Sequence, residues 1–199
     1  AAMSVFGALI AIFVGATLVY KEMDKKTLYT ILSQPMKRYE FVTGKYLGLV
    51  ALLGVSLIIM AAGSTLYLKI AGAAIGLIWF QAILLIYIKL LLITAFAILL
   101  STVVSPILGA LIVFSFYVGG HATDVLRDLP PQFDGTRAKQ VLETLYYVIP
   151  NLNLFNVQSE AANMVPVTWP YVFYAVAYGI SWTLFLLILA CLAFERRDV

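Results

Sequence analysis

The chain has 199 residues, 63% of them hydrophobic and 12% charged, with a mean hydropathy of +0.98 and a net charge of +3. A soluble domain carries roughly 25% charged residues, so the composition sets that class aside and predicts an integral membrane protein. The small excess of cations gives no argument for a nucleic-acid partner, because in a membrane chain the placement of cations matters more than their sum.

The single cysteine, Cys191, lies inside an apolar run. It cannot form a disulfide within the chain, and it reads as a small packed or lipid-facing residue. The sequence is apolar from its first residues, with no basic n-region and no small-residue cleavage site ahead of a polar domain, so it does not open as a signal peptide. It reads as starting partway into a hydrophobic segment, with earlier sequence missing.

The first predicted span covers residues 2–20, near the roughly 20 residues that cross a bilayer core. Tyr20 and Lys21 close it as an interfacial aromatic followed by a cation. The most charged run of the chain follows, residues 21–40. It carries Lys21, Lys25, Lys26, Lys37 and Arg38 against Glu22, Asp24 and Glu40. At helical period Leu28, Ile31 and Leu32, with Met23 or Thr27, share one side, while Lys25, Lys26 and Tyr29 lie largely elsewhere. Pro35 stops that helix because it has no N–H to donate. Gln34 before it is pushed to an extended form. The expectation is a short amphipathic helix, a break, and a restart near Arg38.

The second span is predicted over residues 41–68, with Lys45 able to snorkel to the headgroups and Gly48, Gly54 and Gly63 open to close helix approach. The third, over 77–103, carries Lys89 near its middle. A cation at that depth costs at least about 2.5 kcal/mol, so it must face protein, water or a partner. Ser101, Ser105 and Pro106 form a break, and a short fourth span runs over 107–120. Residues 122–168 form the one long non-spanning region. Within it, 141–149 reads as a short helix ended by Pro150, and Asn151 to Asn156 as a turn leading to another short helix through Ala162. The last span covers 170–194, with Thr168 as N-cap and Pro170 in its first turn.

Five spans place the charged run and the C-terminus on one side. That side holds Lys21, Lys25, Lys26, Lys37, Arg38, Lys45, Arg196 and Arg197, and the other holds Lys69, Arg127, Arg137 and Lys139. The cation excess makes the first side cytoplasmic. An odd number of spans with no signal peptide points to one more span upstream, six in all.

No catalytic set stands out, and no G-x-x-x-x-G-K-[ST] phosphate loop occurs, so an enzyme with its own ATP site is not expected. His121 is the only histidine. It reads as an interfacial residue or one with a local hydrogen bond. A metal or proton-relay role would need partners that the sequence does not place beside it. Lys89 reads either as a contact to an anionic substrate group in a pathway, or as a structural pair or snorkelling cation. With no acid in another span to meet it, a partner chain or water is the expected neighbour. The charged run admits two readings, an anchor on anionic lipid or a docking element for a soluble partner.

The residues of that run then become specific. Val19-Tyr20-Lys21-Glu22, Lys26-Thr27-Leu28-Tyr29-Thr30-Ile31-Leu32-Ser33, Pro35, Arg38, Glu40-Phe41 and Gly44-Lys45 resemble the signature of ABC-type-two exporter permeases. Leu99-Leu100-Ser101-Thr102-Val103-Val104-Ser105-Pro106 resembles the family's break between its fourth and fifth spans, and Phe194-Glu195-Arg196-Arg197-Asp198 its basic end. The resemblance covers essentially the whole chain. It implies a polytopic all-α permease, N-terminally truncated, that pairs with a second permease copy or homologue and with ABC ATPase subunits. ATP and magnesium would bind the ATPase, leaving this chain without cofactor. The loop after the family's second span would be the coupling element. Here that region is 21–40, with Glu22, Lys25, Lys26, Leu28, Tyr29, Ile31, Leu32, Ser33, Pro35 and Arg38 at the interface. Residues 122–168 would be an extracytoplasmic cap with short re-entrant helices. The first span and the amphipathic segment before it have no counterpart, and Lys26 stands where many members have glycine. The implied function is an exporter of the bacterial inner membrane, in contact with membrane lipids and with a cytoplasmic C-terminus. A secondary transporter or channel with Lys89 in its path, and a non-transporting membrane scaffold, are the competing readings.

Overall fold

In a computed structural model the described residues are 2–20, 38–72, 76–121, 150–163 and 165–195. Among them every regular element is helical. They are α1 (Ala2–Leu18), α2 (Arg38–Ile70), α3 (Leu77–Val103), α4 (Pro106–His121), a 3-10 turn (Leu152–Phe155), α5 (Gln158–Ala162) and α6 (Trp169–Glu195). In lipid every backbone donor and acceptor has to be satisfied internally, and helices do this within one segment. α2, α3 and α6 have 33, 27 and 27 residues and are long and apolar enough to cross a membrane, while α1 and α4 are shorter apolar helices. At 1.5 Å per residue α3 is about 40 Å long against a hydrocarbon core of about 30 Å. The chain is an all-α polytopic membrane protein.

Local chemistry sets the ends. The N–H of Val104 still donates to Leu100 O, but Val104 itself is extended (φ −122°, ψ 167°). Pro106 then opens α4 as its first residue, where the missing N–H costs nothing. Thr168 carries its carbonyl to the N–H groups of Tyr171 and Val172, so α6 starts at Trp169 with Pro170 in its first turn.

α3 is the central helix, packed against α1, α2, α4 and α6. Its neighbours fix the directions. A Cβ on Gly15 would stand 2.7 Å from Ala97 Cβ, and Ser4 meets Lys89, so α1 runs parallel to α3. Trp79 Nε1–H donates to Thr65 Oγ1 while Tyr87 lies against Gly54, so α2 runs antiparallel. One buried cluster joins Phe41, Val42 and Tyr46 of α2 with the middle of α3, the 3-10 turn and α6. A second joins α1, α2, α3 and Val113 of α4. The outward faces stay apolar, with Ile58, Ile59 and Leu66 on α2 and Phe173, Leu184 and Ile188 on α6 exposed, as a lipid-facing surface requires.

The three glycines expected to let neighbours approach α2 divide. Gly54 has Tyr87 at 3.3 Å from an added Cβ, whereas nothing lies within 4 Å at Gly48 or Gly63. The close approach is made instead from α1, through Gly15.

Candidate functional site

The coupling residues expected from the sequence, Glu22, Lys25, Lys26, Leu28, Tyr29, Ile31, Leu32, Ser33 and Pro35, lie outside the described residues, and Arg38 enters only as the first residue of α2. What is described is the frame on either side of them. The N–H groups of Val19 and Tyr20 both donate to Ser101 Oγ at 3.1 Å. Two donors at the end of α1 thus meet a side chain from the last turn of α3. On the other side, Phe41 in the first turn of α2 stacks on Phe194 near the end of α6, with centroids 5.5 Å apart and planes at 18°. Lys45 Nζ sits 5.5 Å from the Phe41 ring centroid on its own helix. Val19, Phe41, Val42 and Phe194 belong to one buried cluster. The described residues on either side of 21–37 are thus anchored to two different helix ends, that of α3 through Ser101 and that of α6 through Phe194.

The second site lies at the middle of α3. Lys89 is fully buried, at 0% exposure. Its Nζ donates to Ser4 Oγ at 2.5 Å and stands 3.4 Å from His121 Nε2. His121 Nδ1 lies 2.9 Å from Tyr117 O, and its ring packs on Tyr117 with centroids 4.5 Å apart. A carbonyl only accepts, so Nδ1 carries the hydrogen and Nε2 is left to face the amine. The sequence predicted a partner chain or water beside Lys89. Among the described residues its neighbours are a serine of α1 and the lone histidine of α4, both in this chain. Lys89 is enclosed among the described helices. Among the described residues no group of three or more His, Cys, Asp or Glu converges as a metal site would require.

Hanging from this cluster is the 3-10 turn. Asn153 Nδ2 donates to His121 O at 3.0 Å. Asn151 Oδ1 accepts from Asn153 N–H at 2.9 Å, and Tyr178 OH accepts from Asn151 N–H at 3.1 Å. Tyr171 OH donates to Leu154 O at 2.9 Å. Leu152 and Phe155 are fully buried. They fit because α4 and α6 present no side chain there: a Cβ on Gly120 would stand 2.5 Å from Leu152 Cγ, and one on Gly179 would stand 3.0 Å from the Phe155 ring and crowd Ile88. Buried irregular backbone needs its polar groups paired, and three of these bonds pair the N–H groups of Asn151 and Asn153 and the carbonyl of Leu154. The region expected as a cap, 122–168, is described from residue 150 onward, apart from 164, and that part is a buried turn and short helix.

The sequence reading did not connect Ser4, His121 and Asn153 to Lys89. A signal was present for one of them. Lys89 and His121 stand sixteen residues before and after Ser105, where the chain turns back, so a helical hairpin brings them level. Nothing comparable marked Ser4 or Asn153.

A family profile described as ABC-2 family transporter protein matches residues 1–199. No curated protein matches the chain.

Proposed function

The chain belongs to the ABC-2 transporter family, a permease component of an ABC transporter, and on that premise we propose that it serves an ATP-driven exporter of the bacterial inner membrane. Hydrolysis takes place in a separate ATPase that binds ATP and magnesium, and this chain contributes no nucleotide site. Two permease chains pair in the bilayer and contact its lipids. The charged run 21–40 and the C-terminus face the cytoplasm, on the strength of the cation count.

One observation supports the coupling role of residues 21–37 more than any other. Their flanks are fastened to the ends of different helices, Val19 and Tyr20 to α3 through Ser101, and Phe41 to α6 through Phe194. A push on a segment held this way is delivered to four helices, α1 and α3 on one flank and α2 and α6 on the other. Packed elements of this kind move as rigid bodies between discrete arrangements rather than by gradual bending. A lipid anchor would need no such fastening. The run would contribute a short helix, charges that select the partner, and Pro35 as the break before α2.

The test is purification of the full-length protein through a tag on the ATPase encoded beside it, with ATPase activity measured with and without the permease. Co-purification and a changed ATPase rate are expected. A permease left behind, with an ATPase rate indifferent to it, overturns the assignment.

A further inference from the structure

The cluster at Lys89 has a property that the transport reading does not use. We propose that Lys89 and His121 form a one-proton site in the middle of the membrane, and that a second proton breaks their contact and releases the buried turn 152–155.

The argument starts from hydrogen-bond roles. His121 Nδ1 faces the Tyr117 carbonyl at 2.9 Å, which fixes a hydrogen on Nδ1. The remaining ring nitrogen, Nε2, stands 3.4 Å from Lys89 Nζ. An ammonium has three donors and no acceptor, so it makes this contact only with a bare Nε2. A protonated Nε2 would in turn need a neutral amine. One proton fits between the two nitrogens and two do not. A free amine is far more basic than a free imidazole, near 10.4 against 6.5, so the first proton belongs to Lys89.

Add a second proton to Nε2 and two donors with like charge face each other. Among the described residues, the groups around them offer nothing to separate the charges. From α1 comes the Ser4 hydroxyl, already accepting from Lys89. From α4 come the Tyr117 carbonyl and ring. From the 3-10 turn comes Asn153, whose amide donates to His121 O. None is an acid, and the acidic residues described, Glu40, Glu160 and Glu195, lie at helix ends or in α5. The relief available is to move His121 away from α3. His121 carries the turn with it, because Asn153 hangs from its carbonyl and Leu152 packs on Gly120 beside it.

The experiment uses the full-length protein in lipid nanodiscs. Histidine ring nitrogens are labelled, and the His121 resonances are identified by their loss in His121→Gln. At pH 8 a neutral ring with the hydrogen on Nδ1 is expected. A ring with the hydrogen on Nε2, or a cationic ring at that pH, overturns the proposal. Amide hydrogen exchange over residues 150–163 is then compared at pH 8 and pH 5.5, corrected for the intrinsic pH dependence of exchange. About a tenfold gain in exchange at pH 5.5 is expected in the native protein. In His121→Gln, whose amide oxygen accepts from Lys89 but does not titrate, exchange should be the same at both pH values. A native protein without the gain, or a variant that keeps it in full, overturns the proposal.

Discussion

Ser101 Oγ takes the N–H of Tyr20 at 3.1 Å, and the N–H of Val19 at the same distance, so the last turn of α3 closes the end of α1 across 81 and 82 residues of sequence. Both donors follow the C-terminal end of α1, Val19 buried and Tyr20 half-buried. Ser101→Ala removes their acceptor and leaves them buried. The expected loss is about 1–3 kcal/mol, read as a lower unfolding midpoint in detergent or nanodiscs. Because the bond sits beside residue 21, ATP-driven transport should fall as well. A variant with native midpoint and native transport would show that this bond fastens nothing.

Gly179 and Phe155 make a second pair whose energetics can be separated. Gly179→Ala places a methyl group 3.0 Å from the Phe155 ring and against Ile88. Overpacking of this kind costs about 1–3 kcal/mol. Phe155→Ala alone removes a fully buried ring and costs about 3–5 kcal/mol. Together the two changes should cost less than their sum, because the methyl group then enters the space the ring has left. Additive losses in unfolding midpoint would mean that the two residues do not share that space.

The Lys89 cluster predicts effects of opposite sign. Lys89→Met keeps the length of the side chain and removes a buried cation that no described acid balances, a change that is often neutral or stabilising by about 1–4 kcal/mol. Ser4→Ala leaves the cation in place and takes away its shortest hydrogen bond. Its unfolding midpoint should fall. Should Lys89→Met be the more damaging of the two, the amine contributes through contacts other than these.

For the coupling run, Leu28→Pro is the sharpest change. Proline in a helix interior costs about 3 kcal/mol, enough to abolish the short helix that the sequence leads us to expect there. Transport should be lost while membrane insertion, scored by protease protection of the spans, stays intact. Reversal of charge at Lys25 and Lys26 should weaken co-purification of the ATPase and make it more sensitive to salt, since exposed charges are screened within about 8–10 Å at ordinary ionic strength. Full transport by Leu28→Pro would leave residues 21–37 with no part in coupling.

Phe41 and Phe194 test the other anchor. Stacked aromatic pairs contribute about 0.5–1.5 kcal/mol beyond their packing. A double-mutant cycle with leucine at each position should return a coupling energy in that range, measured on unfolding. A value near zero would place the anchor elsewhere in the cluster around Val42.

Much of the architecture was legible because hydrophobic length carries it. Runs of about 20 apolar residues have few alternatives in a chain so poor in charge, and Pro106 and Pro170 mark helix starts by what they cannot donate. The family was legible for a different reason: the run from Val19 to Lys45 is long and unusual in composition. The partners of Lys89 were not legible. Which face of one helix meets which face of another depends on packing among residues that are nearly all apolar, and periodicity carries little information when both faces are greasy. Ser4 looked like one more small residue of α1. His121 was recognised as solitary, and its solitude in sequence hid the fact that a hairpin sets it level with Lys89. The buried turn was only half legible: Asn151 to Asn156 reads as a turn, but nothing in it says what covers Leu152 and Phe155. Its depth comes from Gly120 and Gly179, which lie in other helices.

That burial bears on what closes the space between the helices. At the level of Ile88, in the middle of α3, the crevice bounded by α3, α4 and α6 is filled by Leu152 and Phe155 from a 3-10 turn. Among the described residues, the space there is taken by two side chains borne by a short segment and by no spanning helix. The packing there is therefore separable from the architecture of the helices, because it depends on a turn held by a few hydrogen bonds to α4 and α6.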